Sequence, residues 1–406
     1  MNLSYFIAKR ISREQKEGFS SIINVIAIVT IAIGLGACII SFLIMTGFQE
    51  TVKEKIYSFS SHLRVTKFTM SNATEEQPFF YNIDLYNHPE KYPMVDHVQE
   101  YAQKAGLIKT DDEVMGVVFK GVGKSFDVNR FKENLVEGEF LHLPDSGYAR
   151  EILLSKTIAG KLKIKTGDEI MVHFFQNPPR LRRLKVSGLY ETNLSEYFDG
   201  KMIIGDIRLI KRLEDWADSV AGGLEVYVKD INHVDADMEF IGESMDYDLY
   251  IEKTSDTYVQ VFEWLDLVSR QVVILLVIIL IVVCVNIISV VLILVMERTQ
   301  MVGMLKALGA KDKLVRSVFV YNGINLILKG LLFGNLLGLG LCYLQSQFHF
   351  IRLNAKDYYM SYVPIGWNWE AVIFLNILVF VIVTLVLLLP TAIVSRINPI
   401  KAIRFD

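Results

Sequence analysis

Between Cys38 and Cys284 the chain contains no cysteine. A domain folded from that stretch has no disulfide and must be held by its own apolar core. The three cysteines, Cys38, Cys284 and Cys342, all fall inside apolar runs. Histidine is sparse as well, and the positions 62, 88, 97, 142, 173, 233 and 349 fit no metal-ligand spacing, so no metal site is expected. No nucleophile–base arrangement stands out, which argues against an enzyme and leaves no catalytic residue to assign. Charge is absent altogether from three runs, Ile22–Met45, Gln271–Met296 and Ala371–Val394. Each exceeds the roughly 20 residues that a helix needs to cross a bilayer core. A fourth run, Ser317–Gln345, holds a single charge, Lys329. Four such blocks make the chain an integral membrane protein with four transmembrane helices. The first run is too long for the core of a signal peptide, and no small-residue cleavage site follows it.

What remains orders the chain. The opening residues place Leu3, Phe6, Ile7 and Ile11 on one helical face and Arg10, Arg13 and Lys16 on the rest, as in a helix lying on a membrane surface. The expected segments are this interfacial helix at 1–20, spans at 21–47, 270–296, 317–345 and 371–394, a large domain at 48–269, a link at 297–316, a loop at 346–370 and a tail at 395–406. Basic residues gather in the N-terminal segment, in the 297–316 link (Arg298, Lys306, Lys311, Lys313, Arg316) and in the tail, whereas the 346–370 loop has only Arg352 and Lys356. By the positive-inside rule both termini and the link are cytoplasmic, and the large domain faces the other side. That domain carries 38 acidic and 26 basic side chains. It reads as mixed α and β: "HLRVTKF" alternates as a strand, and "EILLSKTIAGKLKIKTGDEIMVHFF" reads as strand, helix, turn at Gly167-Asp168 and strand. "QNPPRLRR" reads as a hairpin loop because Pro178-Pro179 cannot donate to a ladder. "LKVSGLY" and "GGLEVYVKDI" read as strands, and "DADMEFIGESM" as a helix.

The fragment "GVGKS" at 121–125 has the look of a nucleotide-binding loop. That loop needs G-x-x-x-x-G-K-[ST] between a strand and a helix, and the position of its first glycine is occupied by Val118. A strand followed by a glycine-rich turn is the expectation, with no cofactor bound by this chain.

In the link, Met301, Met304, Leu305 and Leu308 recur at i, i+3, i+4 and i+7 and form one apolar face on a short helix that Gly309 is placed to end. Such a face either docks into a groove of another protein or lies on the membrane. "ERTQMVGMLKALGA" directly after a span resembles the coupling helix of the FtsX-like ABC-transporter permeases. "FIAKRISREQKEGFSSIINVIAIVTIAIGLGACIISFLIMTGF", "ILLSKTIAGKLKIKTGDEI" and "PTAIVSRINPIKAIR" resemble the lipoprotein-releasing branch of that family, LolC and LolE. Met301 stands where the family often has Glu.

The resemblance implies four spans with a large MacB/LolC-like α+β periplasmic domain between the first two, in a multi-pass protein of the bacterial inner membrane. It implies a non-enzymatic subunit that works with separate LolD-like ATPases, which hold the ATP and Mg. It further implies a second permease copy or paralogue, a lipoprotein substrate, a LolA-like periplasmic carrier and membrane lipid as partners, with no nucleic acid. The ATPase-coupling residues would be Glu297, Met301, Met304, Leu305, Leu308 and Gly309. The hairpin residues Pro178, Pro179, Arg180, Arg182 and Arg183 would grip the carrier. Phe42, Met45 and Phe48 on span one and Val268, Val272 and Leu275 on span two either line a lipid cavity or face the bilayer; Tyr358 and Tyr359 are further substrate-contact candidates. Gly330, Gly334 and Gly338, and likewise Thr30, Gly34 and Cys38, are spaced for close helix packing. Lys329 either acts between helices or snorkels to the interface. The rival functions are a MacB-type mechanotransmission or efflux permease and an FtsX-type regulator of a cell-wall hydrolase.

Overall fold

The structure is a computed structural model that describes residues 19–69, 77–110, 113–176 and 178–391. Residues 1–18 of the expected interfacial helix and the whole of the tail lie outside the described residues. The chain forms two units. One comprises residues 1–50, 264–352 and 362–406; the other comprises 51–263 and 353–361.

The first unit is built on four helices long and apolar enough to cross a membrane: α1 (Phe19–Ser60), α5 (Val259–Glu297), α7 (Asp312–Phe348) and α8 (Trp369–Thr391). A helix satisfies its own backbone polar groups, which is what an apolar run in lipid requires. A short helix, α6 (Thr299–Ala307), joins α5 to α7. Leu35 and Ile39 of α1, Val283 and Ile287 of α5, Leu326 of α7 and Val383 of α8 belong to one buried cluster. The helices extend past the apolar runs read from sequence. Residues 49–60 carry charges, yet Val52, Ile56 and Phe59 recur at i, i+4 and i+7 and are buried, so α1 persists as an amphipathic helix after its apolar run has ended.

The second unit is an α+β assembly. Its strands are β1 (Leu63–Lys67), β2 (Phe79–Phe80), β3 (Val95–Lys109), β4 (Val114–Val122), β5 (Leu135–Gly138), β6 (Glu151–Ser155), β7 (Glu169–Phe174), β8 (Arg180–Tyr190), β9 (Met202–Asp206), β10 (Val220–Ala221), β11 (Gly223–Val228) and β12 (Leu249–Lys253). The helices α2 (Lys156–Leu162), α3 (Ile207–Leu213) and α4 (Val234–Glu243) belong with them. Pairing runs β3–β4–β9–β6–β8–β7 and returns to β3, so these six strands close into a ring, with β4–β9 and β6–β8 parallel and the other pairs antiparallel. Closure leaves that ring without a free edge. Its interior holds Ile108, Phe119, Leu154, Val172, Val186 and Ile203. The long strand β3 also pairs with β11, which continues to β1 and β12. A second core under these strands contains Leu63, Val65, Val98, Leu224, Val226 and Ile241.

The strand–helix–turn–strand reading of 151–174 matches β6, α2, the left-handed Gly167 (φ +95°) and β7. The hairpin loop is shorter than expected. Arg180, Arg182 and Arg183 lie in β8, paired with Phe174, Val172 and Met171 respectively, because the residues after Pro179 regain the N–H groups that a ladder needs.

Candidate functional site

The link helix α6 ends as a left-handed glycine allows. Gly309 has φ +89°, Ala310 N donates to Leu305 O at 2.9 Å and Gly309 N to Lys306 O at 3.0 Å. These two bonds satisfy two carbonyls of the last turn of the helix. The apolar face read from sequence is divided in the fold. Val302, which lies outside the expected apolar face, is fully buried, and Met301 and Leu305 are half-buried against the helix core. Met304 and Leu308 point outward, 56% and 86% exposed, and Glu297 is exposed at the end of α5. Lys306 pairs with Asp312 at 2.9 Å, tying α6 to the start of α7. The protein therefore presents a short capped helix with two apolar side chains in the open.

Helix packing follows the glycines. A Cβ placed at Gly330 would lie 2.6 Å from Ile31 Cβ, one at Gly334 3.0 Å from Ala32 O, and one at Gly338 3.1 Å from Gly36 Cα, so α7 approaches α1 along this row at backbone distance. On α1 the matching positions are Ile31, Leu35 and Gly36; Gly34 instead faces Val283 of α5, where a Cβ would lie 2.3 Å from its methyl group. Lys329 is exposed on the flank of α7 and is not enclosed between the helices. Two contacts escaped the sequence reading. Asn335 of α7 and Asn376 of α8 exchange side-chain hydrogen bonds, each donating Nδ2 to the other's Oδ1, at 2.7 and 3.0 Å. Gly47 and Gly366 meet backbone to backbone, and Gly366 N donates to Leu43 O at 2.9 Å.

The lipid-cavity candidates differ in exposure. Met45 is buried, Phe42 packs on the helix core and Phe48 stands edge-on to Trp264 at 5.4 Å. Val268 and Val272 are half-buried, and Leu275 is exposed. Tyr358 and Tyr359 belong to the other unit, where Tyr359 O accepts from Lys55 Nζ at 2.7 Å. Apolar grooves occur elsewhere in the helical unit. One of about 480 Å³ lies between α1 and α5, lined by Ile23, Ile26, Ile281, Val285 and Ile293 with Asn286 and Ser289. Another of about 910 Å³ lies between α1 and α7, lined by Val29, Ile33, Phe333, Leu337 and Leu341.

In the α+β unit, the hairpin arginines are partly engaged. Arg180 donates to Arg212 O at 3.0 Å and pairs with Asp215 at 3.2 Å, and Arg183 lies 3.6 Å from Glu169. Pro178 and Pro179 are exposed at the tip. The "GVGKS" segment is the end of β4 and a turn. A Cβ at Gly123 would overlap Glu100, whose carboxylate accepts from Ser125 Oγ and from Tyr86 Oη, while Lys124 pairs with exposed Asp145 at 2.5 Å. The glycine thus admits a protein carboxylate, and the lysine is turned to solvent. His62 accepts from Val228 N at 2.9 Å, and burial lowers its pKa to about 4, with Arg130 adding to the effect. It is a neutral structural group.

Comparison with known proteins adds the following. The family profile of the MacB-like periplasmic core domain matches residues 25–239, and that of the FtsX-like permease C-terminal region matches residues 273–399. The lipoprotein-releasing system transmembrane protein LolC of Xylella fastidiosa (strain Temecula1) is 22% identical over 425 residues, covering 100% of this chain and 98% of that protein. LolE of Haemophilus influenzae is 20% identical over 425 residues, covering 99% of each. The crystal structure of the periplasmic region of MacB from Actinobacillus actinomycetemcomitans aligns with 52% of this chain and 97% of its own, at 13% identity and a TM-score of 0.34.

Proposed function

The chain belongs to the FtsX-like ABC-transporter permeases that carry a MacB-like periplasmic core domain, and on that premise we propose that it is the permease subunit of a lipoprotein-releasing transporter in the bacterial inner membrane. A separate ATPase subunit hydrolyses ATP, and this chain turns the resulting motion into extraction of acylated lipoproteins, which pass to a periplasmic carrier. The observation that carries the proposal is colinearity: proteins named LolC and LolE match from end to end, through the helices and the α+β unit alike. The geometry of α6 fits the role of ATPase contact, since Met304 and Leu308 are open to a partner while Val302 fixes the helix to its own core. The task needs an external energy source. Each buried CH₂ contributes about 0.8 kcal/mol, so withdrawing whole acyl chains from lipid is steeply unfavourable. The hairpin tip at Pro178-Pro179 is the proposed carrier contact. Arg182 is the first arginine to test there, because Arg180 and Arg183 already have acidic neighbours.

The test is reconstitution. This chain, its ATPase and an acylated lipoprotein in proteoliposomes should release the lipoprotein to a soluble carrier only when ATP is hydrolysed. ATP-driven release that is identical without this chain would reject the proposal.

A further inference from the structure

The end of α1 within the α+β unit is held by an unusual set of buried charges. Lys120 on β4 and Glu225 on β11 are both 2% exposed, and Lys120 Nζ lies 2.6 Å from Glu225 Oε1. The same ammonium donates to Phe59 O, in the last turn of α1, and lies 4.9 Å from the centre of the Phe59 ring. The other oxygen of Glu225 accepts from Gln99 Nε2 at 2.7 Å, and Gln99 Oε1 accepts from Asp127 N at 2.9 Å. One chain of bonds therefore runs from the helix end across the adjacent strands β4, β3 and β11.

Other contacts close the joint. Thr254 Oγ1 donates to Ser60 O at 3.0 Å and Thr254 N to His62 O at 3.0 Å. Ser60 Oγ is 3.2 Å from Tyr258 Oη, just before α5 begins. The Phe59 ring stacks on Phe198 at 4.3 Å and meets Tyr190 at 5.8 Å. Ser61 then takes a left-handed turn with φ +55°.

A buried ion pair is a poor way to add stability, because removing two charges from water offsets most of their attraction, and apolar replacements of similar size are often as stable or more so. What such a pair does supply is position: an ammonium has three donors that must be matched, and each partner fixes a direction. Here one partner is a helix-terminal carbonyl, a group with no partner inside its own helix. Sliding or turning α1 would strip Lys120 of that partner and leave a buried charge short of a bond, so the strands must follow the helix.

We infer that the Lys120–Glu225 pair is the joint through which movement of α1 is delivered to the strands of the α+β unit, with Lys120, Glu225 and Gln99 as positioning residues for transport. The inference rests on the proposed function only for what the motion accomplishes; the joint itself is measurable without any substrate.

The experiment uses the full chain in nanodiscs, with its three cysteines replaced and spin labels at Glu54→Cys on α1 and Lys201→Cys beside β9. The parent should give a narrow distance distribution. Lys120→Met/Glu225→Gln should broaden it while thermal unfolding stays near the parent's; should that variant not fold, the isosteric Glu225→Gln alone should broaden it in the same direction. With the ATPase and a lipoprotein present, the variant should hydrolyse ATP within about twofold of the parent yet release at least about fivefold less lipoprotein per ATP. A folded variant with an unchanged distance distribution overturns the inference, and so does full release per ATP alongside a broadened one. If the parent releases no lipoprotein at all, the proposed function fails while the spectroscopy alone decides the joint.

Discussion

Single positions in this chain are set by what an added atom would meet. Gly338 and Gly340 both lie in α7, but a Cβ at Gly338 meets the Gly36 backbone at 3.1 Å, whereas one at Gly340 meets nothing within 4 Å. Gly338→Leu should therefore destabilise the folded protein by about 1–3 kcal/mol through overpacking, and Gly340→Leu should leave it near the parent. Thermal unfolding in detergent separates the two, and equal effects would show that α7 does not pack on α1 along this row. His62 gives a pH signature. Its folded pKa of about 4 lies below the ordinary histidine value of 6.5, so the unfolded chain binds more protons between those values. Stability from this group is complete above about 6.5 and is lost as pH falls toward 4. His62→Gln should flatten the stability profile of the folded protein in that window; an unaltered profile would place the acid sensitivity elsewhere.

Elements are where reading and structure diverge most usefully. The periodicity of Met301, Met304, Leu305 and Leu308 correctly marks a helix, and Gly309 correctly marks its end, because both signals are local. Periodicity does not say which part of an apolar arc faces inward; the packing of α6 against its neighbours decides that and selects Val302. The same limit hid the Asn335–Asn376 exchange, which depends on α7 and α8 meeting, and the ring closure through β3 and β7, which joins strands far apart in sequence. Proline breaks a ladder, so the sequence predicts a loop for the arginines after Pro179, but the break spans only the tip. The divided face makes a sharper prediction. Met304→Asp and Leu308→Asp should leave the chain folded and weaken ATPase binding roughly tenfold or more, about 1.4 kcal/mol per tenfold. Val302→Asp should instead unfold the link, since it places a charge in the helix core. Co-purification and a titration with the ATPase distinguish the cases, and unimpaired binding by Met304→Asp/Leu308→Asp would remove α6 from the interface.

For the whole molecule, orientation rests on charge beside the spans. Four helices are long and apolar enough to cross a membrane, and if they cross in alternation one assignment fixes all the rest. The stretch from the end of α5 into the first turns of α7 carries Arg298, Lys306, Lys311, Lys313 and Arg316, whereas the segment between α7 and α8 carries Arg352 and Lys356. The positive-inside rule predicts a cytoplasmic link from that difference, and with it an α+β unit, one span away, on the periplasmic side. The acidic excess of that unit does not bear on the assignment, because acidic residues contribute little to orientation. Two exposed lysines, Lys313 in the first turn of α7 and Lys201 in the α+β unit, are suited to a direct measurement. In a chain whose native cysteines have been replaced, Lys201→Cys should react with a membrane-impermeant maleimide in spheroplasts, and Lys313→Cys only in inverted vesicles. The reverse pattern would put α6 on the periplasmic side, out of reach of any cytoplasmic ATPase, and the transporter assignment would fall with it even though the fold stands.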